Sequence, residues 1–145
     1  MDLFKKFHKE IEYCTYCPKL CRVSCPVANA YCSETYTHWG RQSLLHLVAE
    51  GKQEFNRETA LSVYHCAGCM LCREYCDHDL EIPPVMEAAR TMAVEKQVEP
   101  VEVADFRLFF GEHNNPVGDN LQQRVRAILP DRYFNKEAQV IYWPG

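Results

Sequence analysis

The chain has 145 residues and a mass of 16.9 kDa, the size of one domain or of a domain with an appendage. Apolar residues make up 47% of it, but nine of these are cysteines; without them the share is about 41%, below the ~45–50% of ordinary globular domains, so something besides side-chain packing is expected to hold the fold. A net charge of −4 argues against a protein that works by neutralising nucleic-acid phosphates, and no apolar run approaches the ~20 residues of a membrane-spanning helix.

Leu3, Phe4, Phe7 and Ile11 fall at helical spacing with lysines between them, which predicts a short amphipathic helix covering the cysteine-rich region. The first cysteine run follows, reading Cys14-Thr-Tyr-Cys17-Pro-Lys-Leu-Cys21-Arg-Val-Ser-Cys25-Pro26. Cys32 stands alone after it and is open to two readings, a buried small hydrophobe or a substitute for Cys21 as a ligand. Leu44, Leu45, Leu47 and Val48 predict an apolar helix closed by Gly51. Asn56 has the character of an N-cap, opening a helix through Ala60, Leu61 and Val63. The second run reads Cys66-Ala-Gly-Cys69-Met-Leu-Cys72-Arg-Glu-Tyr-Cys76, with Asp77 after it as a helix cap or a solvated turn residue. Ile82-Pro83-Pro84 suits the first turn of a helix. Val85, Ala88, Ala89, Met92 and Ala93 continue that helix as an apolar stripe. A further helix is predicted over roughly 101–111, then a break at Asn114-Asn115-Pro116-Val117-Gly118. Leu121, Val125, Ile128 and Leu129 form a last helical pattern before Pro130. Residues 138–143 read as a strand, so the body of the chain is expected to be all-α with one short C-terminal strand.

All nine cysteines lie between Cys14 and Cys76. An odd count, in a chain that opens with no charged-then-apolar leader, fits a disulfide framework poorly and points to metal binding in the cytoplasm. The second run has the C-x2-C-x2-C-x3-C spacing associated with two-cluster ferredoxins, in which the fourth cysteine serves the other cluster. Three thiolates at such intervals can wrap one face of a cubane, while the fourth points away from it. Two runs in one chain can therefore exchange their fourth ligands. On this reading Cys14, Cys17, Cys21 and Cys76 hold one [4Fe-4S] cluster, and Cys66, Cys69, Cys72 and Cys25 hold the other. The crossing would staple the halves of a thin core. Gly68 would let the backbone approach inorganic sulfur. The first run departs from the second by one residue, since three residues separate Cys17 from Cys21. Tetrahedral zinc is the competing reading, but it usually takes two separated C-x2-C pairs. His65 and His78 flank the second run without being needed as ligands. Lys19, Arg22 and Arg73 could offset cluster charge, form a docking face or be solvated loop charges.

The paired runs, the all-α pattern and the helix after Ile82-Pro83-Pro84 resemble the α-helical ferredoxin module of heterodisulfide reductase C- and D-type iron–sulfur subunits. The likeness spans about residues 10–130. The same module precedes a cysteine-rich domain with CCG motifs in longer relatives, and the terminal Val140-Ile141-Tyr142-Trp143-Pro144-Gly145 looks like the opening strand of such a domain. The expected organisation is a two-cluster domain over 1–98, a helical extension over 99–137 and a terminal strand over 138–145. The resemblance implies an electron-transfer subunit, passing single electrons between a flavoprotein partner and a CCG-type or other cluster-bearing acceptor. No catalytic residue is assigned to the chain. The alternatives from other classes are an iron–sulfur sensor or structural module and a zinc-stapled interaction module.

Overall fold

The computed structural model describes residues 3–134, 137, 139 and 140. These residues are helical, with turns and loops between the helices and no strand among them. The strand expected over 138–143 falls mostly outside the described residues, and its two described members, Gln139 and Val140, form a bend. The chain divides into two compact units, Met1–Ala104 and Asp105–Gly145.

The predicted amphipathic segment at the start is broken at Phe7 into α1 (Leu3–Lys6) and α2 (His8–Tyr16). Leu3, Phe7 and Ile11 are all buried. Pro26 opens α3 (Pro26–Tyr31), where its missing N–H costs nothing. The helix predicted around Leu44–Val48 is longer than its apolar run. This helix, α4 (His38–Ala49), begins at Thr37, whose Oγ1 accepts from the Gly40 N–H at 2.9 Å. Gly40 has no room for a side chain, because a Cβ there would press into the Glu34 and Thr35 carbonyl oxygens, the latter at 2.8 Å. Asn56 caps α5 (Arg57–Tyr64) as expected, its Oδ1 accepting from the Thr59 N–H at 3.0 Å.

One turn of helix, α6 (Leu71–Glu74), lies inside the second cysteine run. The proline-initiated α7 (Ile82–Glu95) then buries Val85, Met86, Ala89 and Ala93 along the predicted stripe. These residues meet Leu3, Phe7, Ile11, Leu45, Phe55, Ala60 and Val63 in the main core. Beyond it come α8 (Val101–His113) and α9 (Leu121–Ile128). The break between them closes on Asn115, whose Nδ2 donates to the His113 and Asp119 carbonyls at 2.7 and 3.1 Å. In the first unit, α2 packs against α4 and α5 against α7. The indole N–H of Trp39 donates to the Thr15 carbonyl at 2.9 Å and fixes the first of these pairings.

Candidate metal centre

The local backbone presents the first run from three different places. Cys14 lies in the last turn of α2, and Cys17 ends that helix with its N–H returned to Tyr13 and Cys14 carbonyls. Lys19 then adopts a left-handed conformation (φ 62°), and its carbonyl accepts from the Arg22 N–H. This turn absorbs the extra residue between Cys17 and Cys21. Cys21 and Cys25 flank a single 3-10 turn, Arg22–Ser24, and are both buried. In the second run Gly68 (φ 65°) and Met70 (φ 65°) are both left-handed. Such turns give rise to the N–H concavities that receive anions at iron–sulfur sites.

Cys25 crosses over to the second run: one cavity is lined by Cys25 together with Cys66, Cys69 and Cys72. Val27, Ile82, Pro83 and Met86 supply apolar walls to it, and His38 and Arg41 line it as well. Cys14 is surrounded differently. Burial, followed by the thiols of Cys21, Cys17, Cys76 and Cys72, holds its pKa well above the usual thiol range. Burial raises Cys21 as well, with Cys76 as the foremost neighbouring charge, ahead of Cys17 and Asp77. Cys72 is pushed up to about 12 by burial and then by Cys66, Cys69, Cys21 and Cys25. Leu80 and Ile82 pack against Cys14, Cys72, Cys76 and Trp39. Eight thiols thus gather, Cys25 beside Cys66, Cys69 and Cys72, and Cys14 and Cys21 beside Cys17 and Cys76.

The donor set fits [4Fe-4S] clusters: four thiols, Cys25, Cys66, Cys69 and Cys72, line one cavity, and Cys76 joins Cys14, Cys17 and Cys21.

Cys32 corrects one expectation. Instead of being buried it is exposed, ending α3 in a left-handed conformation (φ 50°) with its thiol 3.6 Å from the Asn29 carbonyl. Asp77 caps no helix, since α6 ends on Tyr75 and α7 starts from Glu81; it is an exposed turn residue. The three cations in the runs are tied to carboxylates. Lys19 lies 3.6 Å from Glu34 and over the Trp39 ring, Arg22 pairs with Glu34, and Arg73 meets Glu74 at 2.8 Å. His65 stacks on Tyr36 with its Nδ1 at the Leu61 carbonyl, and His78 is exposed.

The polar groups that do reach the cysteines come from outside the runs. His38 is buried, with Nε2 2.8 Å from Cys21 Sγ. Burial and the nearby Arg41 and Arg22 lower its pKa to about 4. Arg41 is 1% exposed; its Nε donates to the Ser62 carbonyl at 2.8 Å, and Nη1 lies 4.0 Å from Cys25 Sγ. Arg90 of α7 donates to the carbonyls of Val63 and Cys66. The apolar pattern of α4 does not announce His38 and Arg41. The one signal for them is the Thr37 cap, which starts the helix early enough to align His38, Arg41 and Leu45 at i, i+3 and i+7.

This all-α scaffold with two adjoining thiol sets is that of an iron–sulfur protein. Residues 10–80 match the family described as the 4Fe-4S dicluster domain, a match that implies two [4Fe-4S] clusters and supports an iron–sulfur electron-transfer role. The chain is similar to heterodisulfide reductase subunits of the D type. It is 27% identical over 84 residues to the D subunit of dihydromethanophenazine:CoB–CoM heterodisulfide reductase from Methanosarcina mazei, covering 57% of this chain and 20% of that one. The protein of the same name from Methanosarcina acetivorans is 24% identical over 108 residues, or 74% of this chain and 26% of the relative. The chain thus spans only a fifth to a quarter of the length of these curated relatives. No solved structure matches it. Among the described residues, no helix is long and apolar enough to cross a membrane.

Proposed function

We propose that the chain is a cytoplasmic relay that passes single electrons between a flavin-bearing partner and another redox centre, within a complex akin to heterodisulfide reductase. Cys14, Cys17, Cys21 and Cys76 hold one cluster, and Cys66, Cys69, Cys72 and Cys25 hold the other. The observation that carries this reading is the crossing of Cys25 into the cavity of the second run. The presence of Cys76 among the thiols acting on Cys14 and Cys21 is its counterpart. When bound, the clusters supply reversible one-electron chemistry at potentials tuned by hydrogen bonding and solvent exposure. The protein contributes the ligands and the apolar packing of Leu80, Ile82 and Trp39 against Cys14, Cys72 and Cys76. Exposed apolar residues stand near each run, Tyr16, Leu20 and Val23 by the first and Met70, Leu71 and Tyr75 by the second, as surfaces for redox partners require.

The test is anaerobic iron, sulfide and zinc analysis followed by stepwise reduction monitored by EPR. About eight iron and eight sulfide per chain, with two reversible one-electron steps and magnetically coupled signals at full reduction, are expected. Zinc in a colourless, anaerobically isolated protein would sink the relay. Intact clusters that cannot be reduced reversibly would leave a structural module.

A further inference from the structure

A buried cation needs a counter-charge, and Arg41 has none among the described residues. Its guanidinium is almost fully enclosed, Nη2 lacks any hydrogen-bond partner, and its other contacts are the neutral Ser62 carbonyl and the Cys25 sulfur. A [4Fe-4S] cluster carried by four thiolates is a net anion, and the Cys25 side of Arg41 is where that charge would lie. One helical turn earlier, His38 places Nε2 at Cys21. A ligating thiolate can only accept, so this nitrogen is the donor and Nδ1 is left buried without a partner. Both residues line the Cys25 cavity, but they serve the two sites unequally: the full positive charge of Arg41 faces the Cys25 sulfur, whereas the Cys21 sulfur receives the neutral N–H of His38. An acidic side chain adds to the inequality, because Asp77 acts on Cys21.

We propose that Arg41 is the built-in counter-ion of the cluster held by Cys25, Cys66, Cys69 and Cys72, that His38 is the weaker donor to the other cluster, and that this asymmetry sends the first electron to the Cys25 cluster. The inference rests on the crossed ligation proposed above. A buried positive charge stabilises the more negative, reduced state more strongly than a neutral dipole does, and hydrogen bonds and net charge are among the levers that set cluster potentials. Arg41 and His38 are positioning residues here, acting through the cysteine ligands.

The experiment begins with iron and sulfide content of the whole chain, which judges the ligation independently. A wild-type protein lacking two reducible clusters would remove the foundation of the inference. With two clusters present, Arg41→Gln is expected to lower the reduced-to-oxidised ratio of the higher-potential step at least tenfold at a fixed potential, about 59 mV for one electron. Arg41→Lys should restore much of that loss. His38→Phe is expected to shift the lower-potential step in the same direction by less. Failure of Arg41→Gln to move either step, or a shift confined to the lower one, would overturn the assignment. Should that variant not load, wild-type protein labelled with 15N-arginine and given one electron equivalent decides the matter. Pulsed EPR should then detect an arginine 15N coupling in the first signal to appear, and its absence would overturn the proposal.

Discussion

Arg90, on the long proline-initiated helix, donates a hydrogen bond to the carbonyl oxygen of Cys66, the first cysteine of the second run. It also donates to the Val63 carbonyl at 3.3 Å and lies against the Tyr64 ring. A single side chain thus fastens the end of α5 to α7 just where the backbone leaves helix to present a ligand. Arg90→Met keeps most of the aliphatic contact but removes the donors. Charged hydrogen bonds of this kind are worth about 1.5–3 kcal/mol, so a destabilisation of that order is expected. Iron content should fall toward about four per chain, with the loss at the second cluster. Unchanged iron and unchanged denaturation would show that the carbonyl needs no tether.

Gly40 is a second point where local geometry controls the site. It sits between His38 and Arg41, and its missing side chain lets α4 lie directly against the Glu34 and Thr35 carbonyls. Gly40→Ala raises helix propensity, which alone would stabilise. Backbone oxygen cannot swing aside as a side chain could, so overpacking of about 1–3 kcal/mol is expected to prevail. Urea denaturation of the variant should give a lower midpoint. A higher midpoint would mean that α4 and the Glu34–Tyr36 turn are free to separate.

Much of this is legible in the sequence because it is written in short-range spacing. The two cysteine runs, the Asn56 cap, Pro83 and Pro84 in a first turn and the stripe from Val85 to Ala93 each carry their reason within a few residues. The groups that approach the sulfurs are written differently. Arg41 and Gln42 are buried on a helix whose apolar run suggests that only leucines face inward, and only tertiary packing brings Arg41 to Cys25 or Arg90 to Cys66. Reading Lys19, Arg22 and Arg73 as charges available to the clusters overlooks Glu34, Glu74 and Glu81, whose carboxylates take them up. The exposure of Cys32 follows from the end of α3 after one and a half turns, at a left-handed residue that no periodicity announces.

The thiols also predict a pH dependence. Cys72 rises from an ordinary value near 9 to about 12, and Cys14 is raised too, both chiefly by burial. The folded, cluster-free protein therefore holds thiol protons that the unfolded chain has already released. Stability due to these groups is fully present below about pH 9 and is lost as pH climbs toward 12. Urea midpoints of the cluster-free protein should fall over that interval. The loaded protein, whose ligands are already thiolates, should lack this dependence, and loading at pH 7 should release protons. A flat midpoint in the cluster-free form would mean that these thiols are open to water.

Cys32 and Cys25 make a paired test of which thiols belong to the centre, because they are only seven positions apart and differ in every relevant respect. Cys25 is buried, lies against Arg41 and shares a cavity with three thiols of the other run. Cys32 is exposed, with its thiol at the Asn29 carbonyl. Cys32→Ser is expected to retain about eight iron and both reduction steps, whereas Cys25→Ser should lose one step and as much as half of the iron. In the loaded wild type, a thiol reagent should modify one of the nine cysteines quickly, and peptide mapping should find it at Cys32. Loss of a cluster in Cys32→Ser would instead make this cysteine a ligand and require the left-handed turn at the end of α3 to rearrange when the cluster is built.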